Sequence, residues 1–430
     1  MEELITNITI MKRMFFALIF LSLSLFASSA LLTIEDCYRL AEANYPAISQ
    51  YDIIEKTKMF NLSNANKAYL PQGTLSAQAT WQSDVTSIDL NMPGVDIPTI
   101  DKDQYRIAAE LTQIIWDGGR VSAQKKILKA NAEADTKQLE SEIYSLRERV
   151  NNIYFGILLM KEQLNQLDIL DKELQRNYDK VQVYSHNGLA NENDLNVVKV
   201  EQLKARQQRI NVESNLKAFM QMLSVLIGEQ VSSDLVFVKP DPESLLSPPL
   251  INRLELKVFE AKESTIESQK SLLNAKNLPT IAAFAQGGYG KPGLNMFDNE
   301  LTPYVLGGLR VSWNFGNLYS LNNDRKKIDL QKLALNSQRE TFLHNLNIVI
   351  PQQQIEIEKF MKTMQDDDEI IRLHTQIREA AEVKVENGTM TVSDLMKEIN
   401  AEEAAKQAKT LHEIQYLMSV YSLKYTTNQN

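Results

Sequence analysis

The sequence is poor in residues that cross-link or interrupt a fold. Its 430 residues include one cysteine, Cys37, which excludes an intramolecular disulfide and a zinc site with several thiolate ligands. Glycine and proline number only 15 and 12, which predicts long regular elements with few turns and argues against the roughly three globular domains that this length suggests. Acidic residues exceed basic ones by 55 to 46, and the net charge of −9 disfavours nucleic acid as a partner.

Residues 1–30 have the pattern of a secretory signal peptide. Lys12 and Arg13 precede an apolar run over residues 14–26, and the small residues Ser28-Ser29-Ala30 follow it. The run has about 13 residues, fewer than the roughly 20 of a membrane-spanning helix, although residues 27–32 extend it enough to leave a retained anchor as the alternative. We predict cleavage after Ala30 and export without lipid attachment, since the residue directly after that position is not cysteine and Cys37 follows the polar segment Glu35-Asp36. Met11 is an alternative start.

The exported chain contains two copies of one plan. Asn187-Gly188 followed by Asp194-Leu195 recurs as Asn387-Gly388 followed by Asp394-Leu395, displaced by 200 residues. Other landmarks recur at a similar displacement: Leu70-Pro71 as Leu278-Pro279, and Trp116-Asp117-Gly118-Gly119 as Asn314-Phe315-Gly316. We therefore predict a first repeat over residues 31–231, an irregular proline-rich connector over 232–249, and a second repeat over 250–430.

Two amphipathic strands are predicted in each repeat. A helical stretch over residues 32–70 ends at Pro71, and apolar and polar residues then alternate with the period of a strand. The predicted strands are residues 72–82, 104–116, 280–290 and 303–316, with alanines blurring the alternation in the third. The apolar positions are Leu75, Ala77, Ala79, Trp81, Tyr105, Ile107, Ala109, Leu111, Val305, Gly307, Leu309, Val311, Trp313 and Phe315.

Each pair of strands precedes a long helical hairpin, predicted over residues 120–228 and 319–425. Residues 121–183 would span on the order of 95 Å as one helix, and Pro351 predicts a break or kink in its counterpart over 321–385. The first helix has a heptad seam typical of a left-handed coiled coil: Leu139, Ile143, Leu146, Val150, Ile153, Ile157, Met160, Leu164 and Leu167. The predicted apolar sides of its partner and of the second long helix are Val198, Leu203, Ile210, Leu216, Phe219, Leu223 and Leu226, and Phe342, Leu346, Val349, Ile357, Phe360 and Met364.

The four strands are long enough to cross an outer membrane when tilted. Four strands cannot close a barrel, and open edges in lipid leave backbone groups unpaired. The strands must therefore pair with strands of other chains or lie outside a membrane. Export, amphipathic strands and long hairpins together favour a barrel shared between protomers.

This order of elements resembles the outer membrane efflux protein family, also called the TolC family. The resemblance spans essentially the whole exported chain, including an opening segment with Leu32-Thr33-Ile34-Glu35-Asp36 and Asn44-Tyr45-Pro46. It implies a mainly α-helical chain with a membrane β-barrel portion, and a homotrimer whose twelve-stranded barrel in the outer membrane of a Gram-negative bacterium is continued by an α-helical periplasmic tunnel. It also implies a passive exit duct of a tripartite efflux or type I secretion system. Its partners would be outer-membrane lipid, a periplasmic adaptor (membrane fusion) protein and an inner-membrane RND or ABC transporter.

The resemblance places the turns at Gly188 and Gly388 at the periplasmic tip, where family members contact the adaptor and gate the channel. The implied tip residues are Asn187, Gly188, Leu189, Asp194, Asn387, Gly388, Thr389 and Asp394. In a trimer the aspartates would supply six carboxylates at a narrow opening, enough to favour cations. The alternative is that both aspartates stabilise helix N-termini, and the two roles are compatible. Lys397 stands where some members have another carboxylate, so the family's charge pattern is not transferred as a whole.

Five aromatic residues are candidates for the girdles of a membrane barrel, the alternative being that they fill a sheet core. They are Trp81, Tyr105, Tyr289, Tyr304 and Trp313.

Other motifs indicate no chemistry. The run from Gly288 to Gly293 fits G-x-G-x-x-G but is not followed by a helix, and we predict a loop at the outer face of the barrel. The four histidines are scattered, the acidic run 366–369 is interpreted as a solvated helix face, and Cys37 as a small buried residue. No cofactor, metal or catalytic residue is predicted, and the chain is not expected to be an enzyme.

The alternative function is a non-channel structural coiled-coil protein of the periplasm whose strands form a small soluble sheet. An exported enzyme is a third and weaker alternative. Extraction from outer-membrane fractions separates the first two, because a purely structural protein would be released by salt or carbonate without detergent.

Overall fold

A computed structural model describes residues 31–86, 100–188, 190–232, 235–241 and 251–428. The predicted signal peptide and Leu189 lie outside these residues, as does most of the predicted connector. The chain divides into two compact units, one formed by Met1–Ile48, Glu142–Arg253 and His344–Asn430 and the other by Ser49–Ser141 and Leu254–Leu343. Each unit therefore combines segments of both repeats.

The fold is mainly helical, with two long strands in each repeat, as predicted. The helices are α1 (Ile34–Asn44), α2 (Gln50–Asn66), α3 (Arg120–Tyr144), α4 (Leu146–His186), α5 (Glu192–Ile227), α6 (Leu254–Lys276), α7 (Asn317–Glu386) and α8 (Val392–Thr427). The strands are β1 (Leu31–Leu32), β2 (Gln72–Trp81), β3 (Asp103–Trp116), β4 (Val236–Phe237), β5 (Thr280–Lys291) and β6 (Thr302–Ser312). Within the described ranges, none of these helices is both long and apolar enough to span a bilayer.

The four long strands form one antiparallel sheet in the order β2-β3-β5-β6, with β2 and β6 at its edges. Directly paired residues of an antiparallel sheet lie on the same face. The register pairs Leu75 with Ala109, and Ala109 with Gly287, which in turn pairs with Val305. The apolar positions of all four strands thus share one face, including β5, where the sequence pattern was blurred. We call it the apolar face.

The opposite face of the sheet carries the polar residues. Gln78 pairs with Arg106, and Glu110 pairs with Gln286. The carboxylate of Glu110 accepts a hydrogen bond from the guanidinium of Arg310 at 3.0 Å. We call this side of the sheet the polar face.

A buried aspartate organises the turn from strand β3 into helix α3. Asp117 accepts hydrogen bonds from the backbone N–H groups of Gly119 and Val121, at 2.9 and 2.6 Å, and from the Tyr69 hydroxyl at 2.9 Å. Desolvation opposes ionisation of Asp117, but these hydrogen bonds outweigh it and lower the pKa of the carboxyl. In the second repeat Asn314 accepts from the N–H of Gly316 at 3.0 Å, so the repeated motif performs the same capping task.

The core of the first unit is built where α1, α4, α5 and α8 meet. Its fully buried side chains include Ile34, Val150, Phe155, Leu223 and Leu417. Tyr154 is also buried there, and its hydroxyl lies 2.8 Å from the Leu32 carbonyl and 2.7 Å from the Val238 carbonyl. Its phenol thereby links the backbone of β1 to the residue directly after β4, and these two short strands are paired in parallel. Cys37 is fully buried on α1, as predicted, and burial raises the pKa of its thiol to about 12.

Two of the predicted helices are interrupted. The stretch over residues 32–70 is split because Tyr45, with ψ of 125°, precedes Pro46 and leaves the helical region, as residues before proline tend to do. The stretch over residues 121–183 is split at Ser145, whose N–H and hydroxyl both donate to the Glu142 carbonyl, at 3.1 and 2.6 Å. This bond to residue i−3 tightens the backbone locally.

Pro351 does not end its helix, and α7 continues through it from residue 317 to 386.

Three of the predicted seam positions are wrong. Leu203 and Ile210 are exposed, and Val198, Ala205 and Val212 form the buried stripe of α5 instead. Ile350 is buried where Val349 was expected, and Val349 is exposed. The glycines 288 and 290 lie within β5 rather than in a loop, and only residues 292–301 connect β5 to β6.

Substitution of two adjacent glycines tests the turn before α3. Gly118 and Gly119 both have positive φ, +70° and +82°, but a Cβ on Gly118 would lie 2.7 Å from the Leu278 Cβ while one on Gly119 would meet nothing within 4 Å. Both alanine variants should lose about 1–2 kcal/mol to the left-handed backbone, and Gly118→Ala should lose more because of the clash. Denaturant midpoints of the purified protein measure the difference; equal midpoints would contradict the packing described for Gly118.

Candidate functional site

The two predicted tip turns have the same backbone conformation. Helix α4 ends at His186, and Gly188 follows with φ of +73°; α7 ends at Glu386, and Gly388 follows with φ of +67°. The Gly188 N–H donates to the Ser185 carbonyl at 3.1 Å, and the Gly388 N–H donates to the Val385 carbonyl at 3.0 Å. Positive φ favours glycine at both positions, which explains why the Asn-Gly pair recurs.

The first turn passes into α5 through a reciprocal cap. The Asn191 side chain accepts from the Asp194 N–H at 3.1 Å, and the Asp194 carboxylate accepts from the Asn191 N–H at 2.9 Å. This capping box satisfies two backbone donors that a helix start leaves without intrahelical partners. Asp194 thus has the helix-capping role that was the alternative to a gating role.

The second turn passes into α8 through a different set of contacts. The Thr391 hydroxyl accepts from the Asp394 N–H at 3.1 Å and donates to the Asp394 carboxylate at 2.7 Å. Lys397 lies 2.8 Å from the same carboxylate, and its hydrogen bond, followed by that of Thr391, lowers the pKa of Asp394. Thr389 closes the turn through its N–H and hydroxyl, which donate to the Lys384 carbonyl at 2.9 and 3.0 Å, and the Asn387 amide donates to the Val383 carbonyl at 2.9 Å.

The two repeats therefore present unequal charge at their turns. Asp394 is paired with Lys397, whereas no ion pair involves Asp194 in the part of the chain that is described. The departure at Lys397 that was visible in the sequence thus has a direct electrostatic consequence.

A buried ionic cluster lies on α4, α7 and α8. Arg378, with 12% of its side chain exposed, lies 2.5 Å from Glu402, 2.5 Å from Glu382 and 3.4 Å from Glu173. Glu402, 5% exposed, also contacts Lys406 at 2.7 Å and accepts from the Thr375 hydroxyl at 2.9 Å. Sequence reasoning missed this cluster; its only local signals were the i,i+4 pairs Arg378–Glu382 and Glu402–Lys406.

The members of this cluster have pKa values that are shifted in different directions. Burial opposes ionisation of both Arg378 and Glu402, but their mutual hydrogen bond and neighbouring charges prevail, so the pKa of Arg378 is raised and that of Glu402 is lowered. Glu403 is buried and accepts a hydrogen bond from the Gln407 amide at 3.1 Å, and burial raises its pKa. Removing one partner of such a cluster leaves a buried unpaired charge, which costs about 3–5 kcal/mol.

The acidic run 366–369 is only partly a solvated face. Asp366, Asp368 and Glu369 are exposed, but Asp367 is buried and lies 2.9 Å from Nδ1 of His412. The interpretation was therefore wrong for Asp367, whose partner is 45 residues away in sequence. Within the described ranges, no group of three or more His, Cys, Asp or Glu side chains is placed to hold a metal ion.

The aromatic candidates lie in three different settings. Trp81, Tyr105 and Tyr289 occupy the apolar face at the end of the sheet where the β2–β3 and β5–β6 loops begin. Trp313 follows β6 and donates from its indole N–H to the Asn277 carbonyl at 3.0 Å, and its ring lies 4.4 Å from that of Phe315 at an angle of 41°. Tyr304 pairs with Gly288 and therefore lies on the polar face, so it cannot join a girdle on the apolar face.

Trp116 is an aromatic residue that the sequence pattern missed. A register shift between Ile114 and Trp116 places Trp116 opposite Ile281, which pairs with Val311. Trp116 thereby joins the apolar face at the helical end of the sheet, although strict alternation from Leu111 would put it on the other side. A bulge of this kind is not visible in the period of the sequence.

Comparison with known proteins agrees with this architecture. Residues 38–229 match the sequence model of the family described as outer membrane efflux protein. Over this segment the chain is similar to the outer membrane efflux protein family. No curated protein matches the sequence significantly.

Solved channels share the fold of this chain over almost its whole length. The Campylobacter jejuni CmeC outer membrane channel is 15% identical, with a TM-score of 0.62 over 92% of this chain and 85% of that one. The outer membrane protein VceC of Vibrio cholerae is 12% identical, with a TM-score of 0.61 over 92% and 94%. The Neisseria gonorrhoeae MtrE outer membrane channel is 13% identical, with a TM-score of 0.62 over 92% and 88%.

These similarities show that the fold shared with the channels extends beyond the matched segment. The family model covers the first repeat, whereas the structural matches cover both. The chain is thus an outer-membrane protein of a Gram-negative bacterium that extends into the periplasm.

Removal of the two cap side chains tests the geometry of the turns. Asn191→Ala and Thr391→Ala should each weaken the first turn of the following helix by about 0.5–2 kcal/mol, because the N–H of residue 194 or 394 loses its side-chain acceptor. Hydrogen–deuterium exchange of the first-turn amides should then accelerate by about two- to thirty-fold. Asn191→Asp and Thr391→Ser keep an acceptor and serve as controls. Exchange that is unchanged in the alanine variants would contradict the capping role.

Proposed function

We propose that this outer membrane efflux protein is one protomer of a homotrimeric exit duct. Three four-stranded sheets would close a twelve-stranded barrel in the outer membrane, and the long helices would form a tunnel in the periplasm. The duct would be the passive outer component of a tripartite efflux or type I secretion system, docked on a periplasmic adaptor and an inner-membrane RND or ABC transporter. No step of this function requires catalysis or a cofactor.

The observation that carries the proposal is the four-stranded sheet with one apolar face and two open edges. Leu75, Val305 and Leu309 on that face are 77%, 81% and 70% exposed. Open edges of β2 and β6 cannot remain unpaired in lipid, since each lost backbone hydrogen bond there costs several kcal/mol. Pairing of β6 with β2 of the next protomer removes every edge, and three chains do so in a closed ring.

The positions of the aromatic residues support a membrane location for the sheet. Tyr105 and Trp116 lie eleven residues apart on β3, which corresponds to about 36 Å along a strand. At a tilt of about 45° the two levels are separated by about 25 Å, the height of the apolar band of a membrane barrel. Trp81 and Tyr289 accompany Tyr105, and Trp313 and Phe315 accompany Trp116, so we propose these as the two girdles.

Adjacent arginine substitutions on β2 test the membrane location. Leu75 lies on the apolar face, and its neighbour Ser76 lies on the polar face. Leu75→Arg should destabilise insertion by about 2–4 kcal/mol and sharply reduce the detergent-requiring protein in outer-membrane fractions. Ser76→Arg, the matched control, should assemble nearly normally.

The outcome separates the duct from the structural alternative. The barrel would be contradicted, and a soluble periplasmic sheet favoured, if Leu75→Arg and the wild type were equally abundant and salt or carbonate released both from the membrane fraction. Native mass measurement of the detergent-extracted protein should give three chains, and a monomer would contradict the shared barrel.

We propose the turns at Gly188 and Gly388 as the adaptor-contacting tip and gate, with Asp194 setting most of the cation preference. The proposal is supported by the ion pair of Asp394 with Lys397, which offsets the second carboxylate. In purified trimers in planar bilayers, Asp194→Asn should reduce the ratio of cation to anion permeability more than Asp394→Asn does, because asparagine removes the charge but keeps an acceptor.

A third variant in the same recordings should change the cation preference in the opposite direction. Lys397→Gln should increase cation preference, since it frees the Asp394 carboxylate. Permeability ratios that are equal in all three variants and the wild type would show that neither aspartate sets selectivity, leaving helix capping as their role. A channel that never conducts would instead count against the duct itself.

A further inference from the structure

The polar face of the sheet contains one charge that is not compensated. The charged residues of the four strands on this face are Arg106, Glu110 and Arg310. Glu110 and Arg310 form an ion pair at 3.0 Å, and the Arg310 guanidinium also lies 4.5 Å from the centre of the Phe284 ring. Arg106 has no carboxylate within ion-pair distance among the residues that the structure describes, and its side chain is exposed.

The register explains why Arg106 stays uncovered. Its direct neighbours across the sheet are Gln78 on β2 and Gly290 on β5. Gly290 and Gly288 place no side chain beside the guanidinium, although the space next to Gly290 is occupied by the backbone of Pro292, whose carbonyl oxygen lies 2.7 Å from where a Cβ would be. The motif that resembled a nucleotide-binding fingerprint thus gives Arg106 no side-chain partner on β5.

A cavity of about 160 Å³ lies on this part of the sheet, and amide and hydroxyl groups line it together with Arg106. Its lining includes Gln78, Thr80, Gln82, Gln104, Tyr105 and Arg106. Lys291 also borders the cavity, but its ammonium group is 2.7 Å from Asp101. A planar guanidinium among N–H and O–H donors, with no described carboxylate within ion-pair distance of it, matches the geometry and charge of an oxyanion.

We propose that Arg106 and the surrounding glutamines form an oxyanion site in the lumen of the barrel, with one copy in each protomer. The site would receive carboxylate- or phosphate-bearing solutes as they leave the duct. This proposal rests on the trimeric barrel proposed above, in which the polar face lines the lumen. In a water-filled lumen the field of each guanidinium extends about 8 Å at physiological ionic strength, so the site favours anions modestly and releases them.

Ion selectivity and phosphate block test the site. Arg106→Gln should lower the ratio of chloride to potassium permeability about two- to four-fold in a KCl gradient, and it should remove the reduction in current that inorganic phosphate causes in the wild-type trimer. The matched control is Glu110→Gln combined with Arg310→Gln, which deletes an ion pair without changing the net charge and should leave both readouts unchanged. Arg106→Lys should keep the permeability ratio but weaken the phosphate block, because an ammonium group lacks the bidentate fork.

Cysteine labelling separates failure of this site from failure of the barrel. The only native cysteine is buried, so Arg106→Cys and Ile107→Cys supply single reactive thiols on the polar and apolar faces. A negatively charged methanethiosulfonate reagent should alter the current of Arg106→Cys trimers and leave Ile107→Cys trimers unaffected. If the reagent alters the current of Arg106→Cys trimers but Arg106→Gln trimers keep the wild-type selectivity and phosphate block, the oxyanion site is overturned and the barrel is not. An absence of channels, or a residue 106 that is unreactive while 107 reacts, overturns the orientation of the sheet on which both proposals rest.

Discussion

The need to pair backbone groups at the edges of the four-stranded sheet determines most of this structure. A strand in lipid has no water to satisfy its N–H and C=O groups, and this sheet ends in β2 on one side and β6 on the other. Its apolar face is equally incomplete, since residues such as Leu75 and Val305 are exposed in the single chain. In the trimer proposed above, one chain would carry a third of a closed surface, and the internal repeat would supply the even number of strands that lets identical copies join head to tail.

The two repeats keep the backbone and vary the charge. Gly188 and Gly388 adopt the same left-handed conformation, and residue 194 or 394 donates its N–H to the cap in both. The caps themselves differ, because an Asn191–Asp194 box in one repeat becomes a Thr391–Asp394–Lys397 arrangement in the other. A turn that must reverse a long hairpin tolerates little change in φ and ψ, whereas exposed side chains beside it can change at small cost. Electrostatic differences at the turns are thus compatible with one conserved hairpin geometry.

Periodicity made the strands, the hairpins and the shared apolar face predictable, because one-sided burial imposes a period of two on a strand and of 3.5 on a coiled coil. The failures arose where tertiary contacts decide. On α5 the smaller Ala205 is buried and the more hydrophobic Leu203 is exposed. Burial there is decided by which face of the helix a residue occupies and not by how hydrophobic it is. Trp116 changes face through a bulge that leaves no periodic signal, and Asp367 finds His412 across 45 residues. The turn aspartates were recognised from the repeat, whereas the uncompensated state of Arg106 required the register of three strands.

The buried cluster around Arg378 shows how such long hairpins can be held in one register. The buried residues Leu167, Leu174 and Val181 of α4 recur every seven residues, so sliding α4 by one heptad would replace each apolar contact with a similar one. A purely apolar seam therefore discriminates poorly between registers. The same slide would carry Glu173 about 10 Å along the helix axis and away from Arg378, which is nearly enclosed and shared with Glu402 and Glu382. Because an unpaired buried charge costs several kcal/mol, the cluster penalises the slipped arrangement far more than any single leucine does, and it fixes α4 against α7 and α8.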